Sequence, residues 1–146
     1  MSKKDLIKIQ AEIVSPTSIT KKEVEGFMQI VLQSGGCTAR RNFALVTILA
    51  YGGLRISECI NIRKSDICLE SSQLKISDGK GEKARIVIIG SKIVSAVQEY
   101  QKTDHVESEW LFHNSRGDRL NQTTINRVFR LCCPEGYHIT PHTLRH

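Results

Sequence analysis

The segment from Thr38 to Ala50 sets the strongest limit on how this chain folds. Phe43, Ala44, Val46, Thr47, Leu49 and Ala50 recur at helical spacing, and Gly52-Gly53 follows as a break. Apolar residues at that period predict a helix that starts near Thr38, is buried, and stops at the two glycines. It is the best core candidate in the chain. With 146 residues, 40% of them hydrophobic and 25% charged, the chain can close one ordinary core with little left for a second, so one domain is expected.

The other elements are expected around that helix. Residues 1–18 end in Ser15-Pro16-Thr17-Ser18 and read as a connector, with the domain proper spanning 19–146. Thr20 with Glu23 three positions on is a capping-box pattern, and Val24, Phe27, Met28, Ile30, Val31 and Leu32 form an apolar stripe stopped by Gly35-Gly36. A short helix from Leu54 to about Ile62 and a turn at Lys64-Ser65-Asp66 lead into three segments of strand character: Ile67–Leu69, Gln73–Ser77 and Arg85–Ile89. These predict a small antiparallel sheet whose hairpin tip is Asp78-Gly79-Lys80-Gly81-Glu82-Lys83. Ser91 is expected to cap a helix to about Gln101, and Trp110-Leu111-Phe112 to be a brief buried segment. Asn121 is expected to cap a helix to about Cys132, with Ile125, Val128 and Leu131 on one face and Arg127 and Arg130 off it. Pro141 opens a last helix.

A formal net charge of +6, spread over several segments, favours a polyanionic partner, and nucleic acid fits best. The five cysteines are odd in number and without C-x-x-C spacing, which predicts reduced thiols and a cytoplasmic protein, with Cys132-Cys133 a semi-buried pair. No apolar run approaches the ~20 residues of a membrane span, so no membrane association is expected. His105, His113 and His138 lack an i,i+4 partner or a nearby carboxylate pattern, so neither a metal nor another cofactor is expected.

Three places combine charge with unusual backbone chemistry. Arg55 stands at a helix start just after Gly52-Gly53, where it either presents its guanidinium to an anion or is an exposed arginine on a capped turn. Lys80 lies between Gly79 and Gly81, placed either to carry an ammonium to a leaving oxygen or simply to be solvated. That segment lacks the G-x-x-x-x-G-K-[ST] spacing of a nucleotide-binding loop, which excludes an ATPase of that class. His142 and Arg145 are three apart at a helix start, and either grip one phosphate or are a capping histidine and a surface arginine.

In this order the motifs resemble the tyrosine recombinase, or phage integrase, family, including its Xer-type members. The resemblance runs from about Thr20 to His146. It rests on Ala44-Leu45-Val46-Thr47-Ile48-Leu49-Ala50-Tyr51-Gly52-Gly53-Leu54-Arg55-Ile56-Ser57-Glu58, on Gly79-Lys80-Gly81 with Arg85-Ile86-Val87-Ile88, and on Pro141-His142-Thr143-Leu144-Arg145-His146. It implies an α+β fold, mainly α-helical, an integrase-type catalytic core with a small three-stranded antiparallel sheet at one edge. It also implies that Arg55, Lys80, His142 and Arg145 are catalytic: two arginines hold the scissile phosphate, Lys80 protonates the departing 5′ oxygen, and His142 assists. Glu58, one turn beyond Arg55, either orients it or forms a surface ion pair. Double-stranded DNA is the implied partner, with Lys83, Arg85, Arg127, Arg130, Arg40 and Arg41 as further DNA contacts or, equally, solvated surface. Trp110 and Phe112 read as core rather than as a base-stacking platform, because aromatic residues are too few for a single-strand binder.

The departures from the family pattern matter as well. Its nucleophilic tyrosine lies several turns beyond the second arginine, preceded by a further histidine or tryptophan, and Tyr51, Tyr100 and Tyr137 all precede His142. None is assigned the role. The family's DNA-clamping N-terminal domain has only residues 1–18 in its place. The expectation is therefore a shortened recombinase core, inactive alone, that exposes apolar surface and self-associates. The alternative is a degenerate recombinase-like module that binds DNA without catalysis.

Overall fold

The computed structural model describes residues 19–34, 36–77 and 84–144. Among the described residues six α-helices run Lys21–Ser34 (α1), Ala39–Tyr51 (α2), Ile56–Ile60 (α3), Ser91–Thr103 (α4), Gln122–Cys132 (α5) and Pro141–Leu144 (α6). Strands Ile67–Cys68 (β1), Gln73–Ile76 (β2) and Arg85–Ile88 (β3) form an antiparallel sheet in the order β1-β2-β3, with Leu74 opposite both Ile67 and Val87. This is the mainly helical α+β architecture with a small three-stranded sheet that the sequence predicts.

Helix α2 is buried all round: Ala44, Leu45, Val46, Thr47, Ile48 and Leu49 are all inaccessible. Such a helix has no solvent face and must be enclosed. Helices α1 and α4 do most of the enclosing, and α3 and α6 pack on it as well. Thr47 is accommodated because its Oγ1 donates to the Phe43 carbonyl at 2.6 Å, one turn back. The α1 start is the predicted capping box: the Glu23 amide donates to Thr20 Oγ1 at 3.1 Å, and that hydroxyl donates to the Glu23 carboxylate at 3.0 Å.

The end of α2 is fixed by sterics. The Gly52 amide donates to the Ile48 carbonyl at 2.7 Å, and a Cβ at Gly52 would lie 2.6 Å from that same oxygen. Gly53 then takes φ +70°, a left-handed conformation that favours glycine. Together they turn the chain sharply into α3.

Several boundaries depart from expectation. Helix α3 is shorter, since Leu54 and Arg55 precede it and Ile62 already pairs with the 110 segment. Gly90, not Ser91, is the N-cap of α4, and that helix runs on to Thr103. On α5 the inward residues are Ile125, Phe129 and Cys132, at i, i+4 and i+7, whereas Leu131 is 74% exposed and does not belong to the core face. Phe129 packs on Phe27 with ring centroids 5.0 Å apart, joining α5 to α1. The cap on α5 is as predicted, with Asn121 Oδ1 accepting from the Thr124 amide at 2.9 Å. Cys132 is buried and Cys133 half-buried, where its sulfur accepts from the Ile139 amide at 3.4 Å. Among the described residues no helix is long and apolar enough to cross a membrane.

The loop from Thr103 to Asn121 is held by polar groups under the core. Tyr100 donates its hydroxyl to the Leu111 carbonyl at 2.9 Å and stacks on Phe112. His113 Nε2 meets Asp104 Oδ2 at 2.8 Å, with both side chains almost inaccessible, and Lys64 Nζ stands 3.7 Å from the same oxygen. Burial alone would raise the Asp104 carboxyl. The hydrogen bonds from His113 and the Val106 amide, with the Lys64 charge, outweigh it and hold the group below its ordinary value.

Ile48→Ala should cost about 2–5 kcal/mol in urea unfolding, and Leu131→Ala under about 0.5 kcal/mol. Because the Asp104 value is lowered on folding, its stabilising contribution is complete above the unfolded value and vanishes as pH falls through the folded one. The stability advantage of the parent over Asp104→Asn should therefore be constant near neutrality and shrink below about pH 4 in unfolding titrations.

Candidate active site

Arg55 occupies the N-cap of α3 in extended backbone, set there by the Gly52-Gly53 turn. A cleft of about 240 Å³ opens beside it, lined by Leu54, Arg55, Ile56, Ser57, Gln122, Pro141 and His142. Three elements thus meet: the start of α3, the start of α5 and the start of α6. His142 reaches the cleft because its neighbours are anchored beneath it. Thr143 is buried and exchanges hydrogen bonds with Thr140, whose amide donates to Thr143 Oγ1 at 2.9 Å, and Leu144 is buried in the core. His142 itself stays exposed.

Glu58 does more than face Arg55. Its Oε1 accepts the Arg55 backbone amide at 2.9 Å, and its Oε2 accepts from the Arg85 guanidinium at 2.8 Å. One carboxylate therefore fixes the backbone that carries Arg55 and the first residue of β3, at the base of the predicted hairpin. The Glu58 side chain is only 13% exposed, against 52% for Arg85. Arg85 is the chief reason the Glu58 carboxyl lies below its ordinary range, so the bridge is charged at neutral pH. Glu58 was expected to orient Arg55 or to be a surface ion pair; it bonds the main-chain amide of Arg55 and pairs with Arg85.

The other predicted residues divide clearly. Arg127 and Arg130 are exposed on the outer face of α5, without an ion pair among the described residues. Arg40 is half-exposed and lies 3.6 Å from Glu99. Arg41 departs from the expected DNA contact because its guanidinium turns inward, donating to the His113 carbonyl at 3.2 Å and to Asn42 Oδ1 at 2.9 and 3.1 Å. Arg85 is likewise engaged, by Glu58. Lys80, Lys83 and Arg145 lie outside the described residues.

Of the tyrosines, none lines the cleft. Tyr100 is buried with its hydroxyl bonded inside, and Tyr51, at the exposed end of α2, has Lys92 Nζ 4.6 Å from its ring centre. Sequence reasoning missed Ser57 and Gln122 as cleft residues. The available signal was their place next to helix starts already marked by Arg55 and Asn121.

Residues 17–146 match the model of the Phage integrase family. The TnP I resolvase of Bacillus thuringiensis is 40% identical over 150 residues, an alignment that covers 99% of this chain and 50% of the resolvase. The crystal structure of XerA recombinase superposes with a TM-score of 0.74 at 28% identity, over 88% of this chain and 47% of XerA. The XerH site-specific recombinase bound to a palindromic difH substrate, in a post-cleavage complex, gives a TM-score of 0.69 at 25% identity, over 89% and 40% of the two chains. The chain spans about half the length of the curated relatives it matches, or less.

Glu58→Gln keeps a cap acceptor for Arg55 but removes the charge opposite Arg85, whereas Glu58→Ala removes both. The alanine variant should lose about 1–2 kcal/mol and the glutamine variant less than half of that, as read by thermal unfolding at neutral pH.

Proposed function

The chain belongs to the phage integrase family, and from that membership we propose that it forms most of the phosphate-binding core of a tyrosine recombinase acting on double-stranded DNA. The observation that carries this reading is the cleft shared by Arg55 and His142, residues far apart in sequence that three separate helix starts bring together.

In this reading Arg55 and Arg145 hold the non-bridging oxygens of one backbone phosphate and stabilise the charge that grows as phosphorus becomes five-coordinate. A tyrosine oxygen attacks the phosphorus as its proton passes to solvent, the phosphorus–5′ oxygen bond breaks, and Lys80 gives the departing oxygen its proton. His142 hydrogen-bonds the phosphate from the opposite wall. The 3′-phosphotyrosine keeps the energy of the broken bond, so rejoining needs no nucleotide triphosphate. No such role is assigned to Tyr51, Tyr100 or Tyr137. Arg127 and Arg130 extend the contact along the duplex from α5, with Lys83 on the hairpin and Arg40 further away. Residues 1–18 serve as the connector and 19–146 as the domain. The protein works in the cytoplasm, where DNA is accessible and its cysteines stay reduced. Copies associate on the DNA.

The test is a fluorescence anisotropy titration of a labelled duplex with the parent chain and Arg55→Ala/Arg145→Ala at two salt concentrations. Binding by the parent should weaken steeply with salt, and the folded double variant should bind roughly 10- to 100-fold more weakly. Equal binding by the two proteins would overturn the phosphate-clamp reading.

A further inference from the structure

Two arginines outside the cleft are stacked on one ring. The Arg63 guanidinium carbon lies 4.8 Å from the centre of the Trp110 ring, and that of Arg119 lies 5.6 Å from it. Each cation is also tethered at one end: Arg63 NH1 donates to Glu109 at 3.0 Å, and Arg119 NH1 donates to Asn61 Oδ1. Arg63 remains 52% exposed and Arg119 is exposed too. A guanidinium has five N–H donors in a rigid plane, so each tether leaves most of them unspent. Holding each guanidinium over the ring lowers the entropy lost when an anion is bound.

This pair is joined to the cleft by a short chain of hydrogen bonds. Asn61, which accepts from Arg119, donates its own amide to the carbonyl of Ser57 at 2.7 Å, and Ser57 lines the cleft. Helix α3 begins beside Arg55, and its C-cap is Asn61, about 9 Å of helix rise further on. Gln122, three residues past Arg119, lines the cleft from the other side.

We propose that Arg63 and Arg119, held on Trp110, form a second phosphate-contact site that grips the DNA backbone beside the phosphate in the cleft. The site rests on the DNA reading above and deepens it. Its partner is the sugar-phosphate backbone of a duplex, and a phosphate contact positions the strand without reading its sequence.

The experiment compares parent, Arg63→Gln/Arg119→Gln and Arg55→Ala/Arg145→Ala in duplex titrations over a salt series, with thermal unfolding of each. Loss of two phosphate contacts should lower the slope of log affinity against log salt by close to two and weaken binding about tenfold or more at low salt, equally for unrelated duplex sequences. Trp110 is the chain's single tryptophan, so its emission reports on the stack directly. In the parent, emission should change with the same midpoint as the anisotropy. A stack that only clamps the two loops together predicts a lower melting temperature, an unchanged salt slope and silent tryptophan emission, and that outcome overturns the proposal. If the glutamine variant fails to fold, the parent's tryptophan titration decides alone. Failure of the DNA reading itself looks different, since the parent then binds no duplex or the Arg55/Arg145 variant binds as the parent does.

Discussion

Helix α2 offers no face to water between Ala44 and Leu49, and the rest of the molecule is arranged by the need to cover it. Helices α1 and α4 close two sides, and Leu144 at the end of the described chain returns to the same core. That return is what brings His142 beside Arg55. The cleft is thus a by-product of enclosing one helix: its walls are the starts of elements whose other residues are spent on burial. The Gly52-Gly53 turn transmits the constraint outward, since the Ile48 carbonyl leaves no room for a side chain at Gly52 and the φ of Gly53 sends the chain straight into α3.

The elements were legible in the sequence wherever periodicity and caps agreed. Thr20, Glu23 and Asn121 mark their helix starts with side chains that do in fact cap, and the three strands lie within a residue or so of their expected ends. The errors have physical causes. Leu131 was assigned to the core because it is apolar and three residues from Val128, yet the inward face of α5 is set by Phe129 meeting Phe27, which no local pattern contains. Gly90 caps α4 with its backbone alone, so no side chain announced it.

The site was legible as residue types but not as partnerships. Arg41 looks in sequence like any surface arginine, and only the tertiary position of the His113 carbonyl and the neighbouring Asn42 turns it inward. Glu58 was noticed for its spacing from Arg55, while its bond to Arg85 depends on the sheet placing β3 against α3. Trp110 was read as core, and it is instead half-buried beneath two guanidinium groups, one from Arg119 in its own loop and one from Arg63, distant in sequence.

The Glu58–Arg85 contact joins residues 27 apart. Closing a flexible loop of that length costs roughly 3 kcal/mol in chain entropy, more than the 1 kcal/mol or so that a partly exposed ion pair returns. The pair cannot drive its own formation. It forms once the β2–β3 ladder has already brought the strands into register, and so it follows the assembly of the sheet. The bond from the Arg55 amide to Glu58 spans only three residues and closes within one helical turn, so what the sheet adds afterwards is the Arg85 charge that holds the Glu58 carboxylate in place.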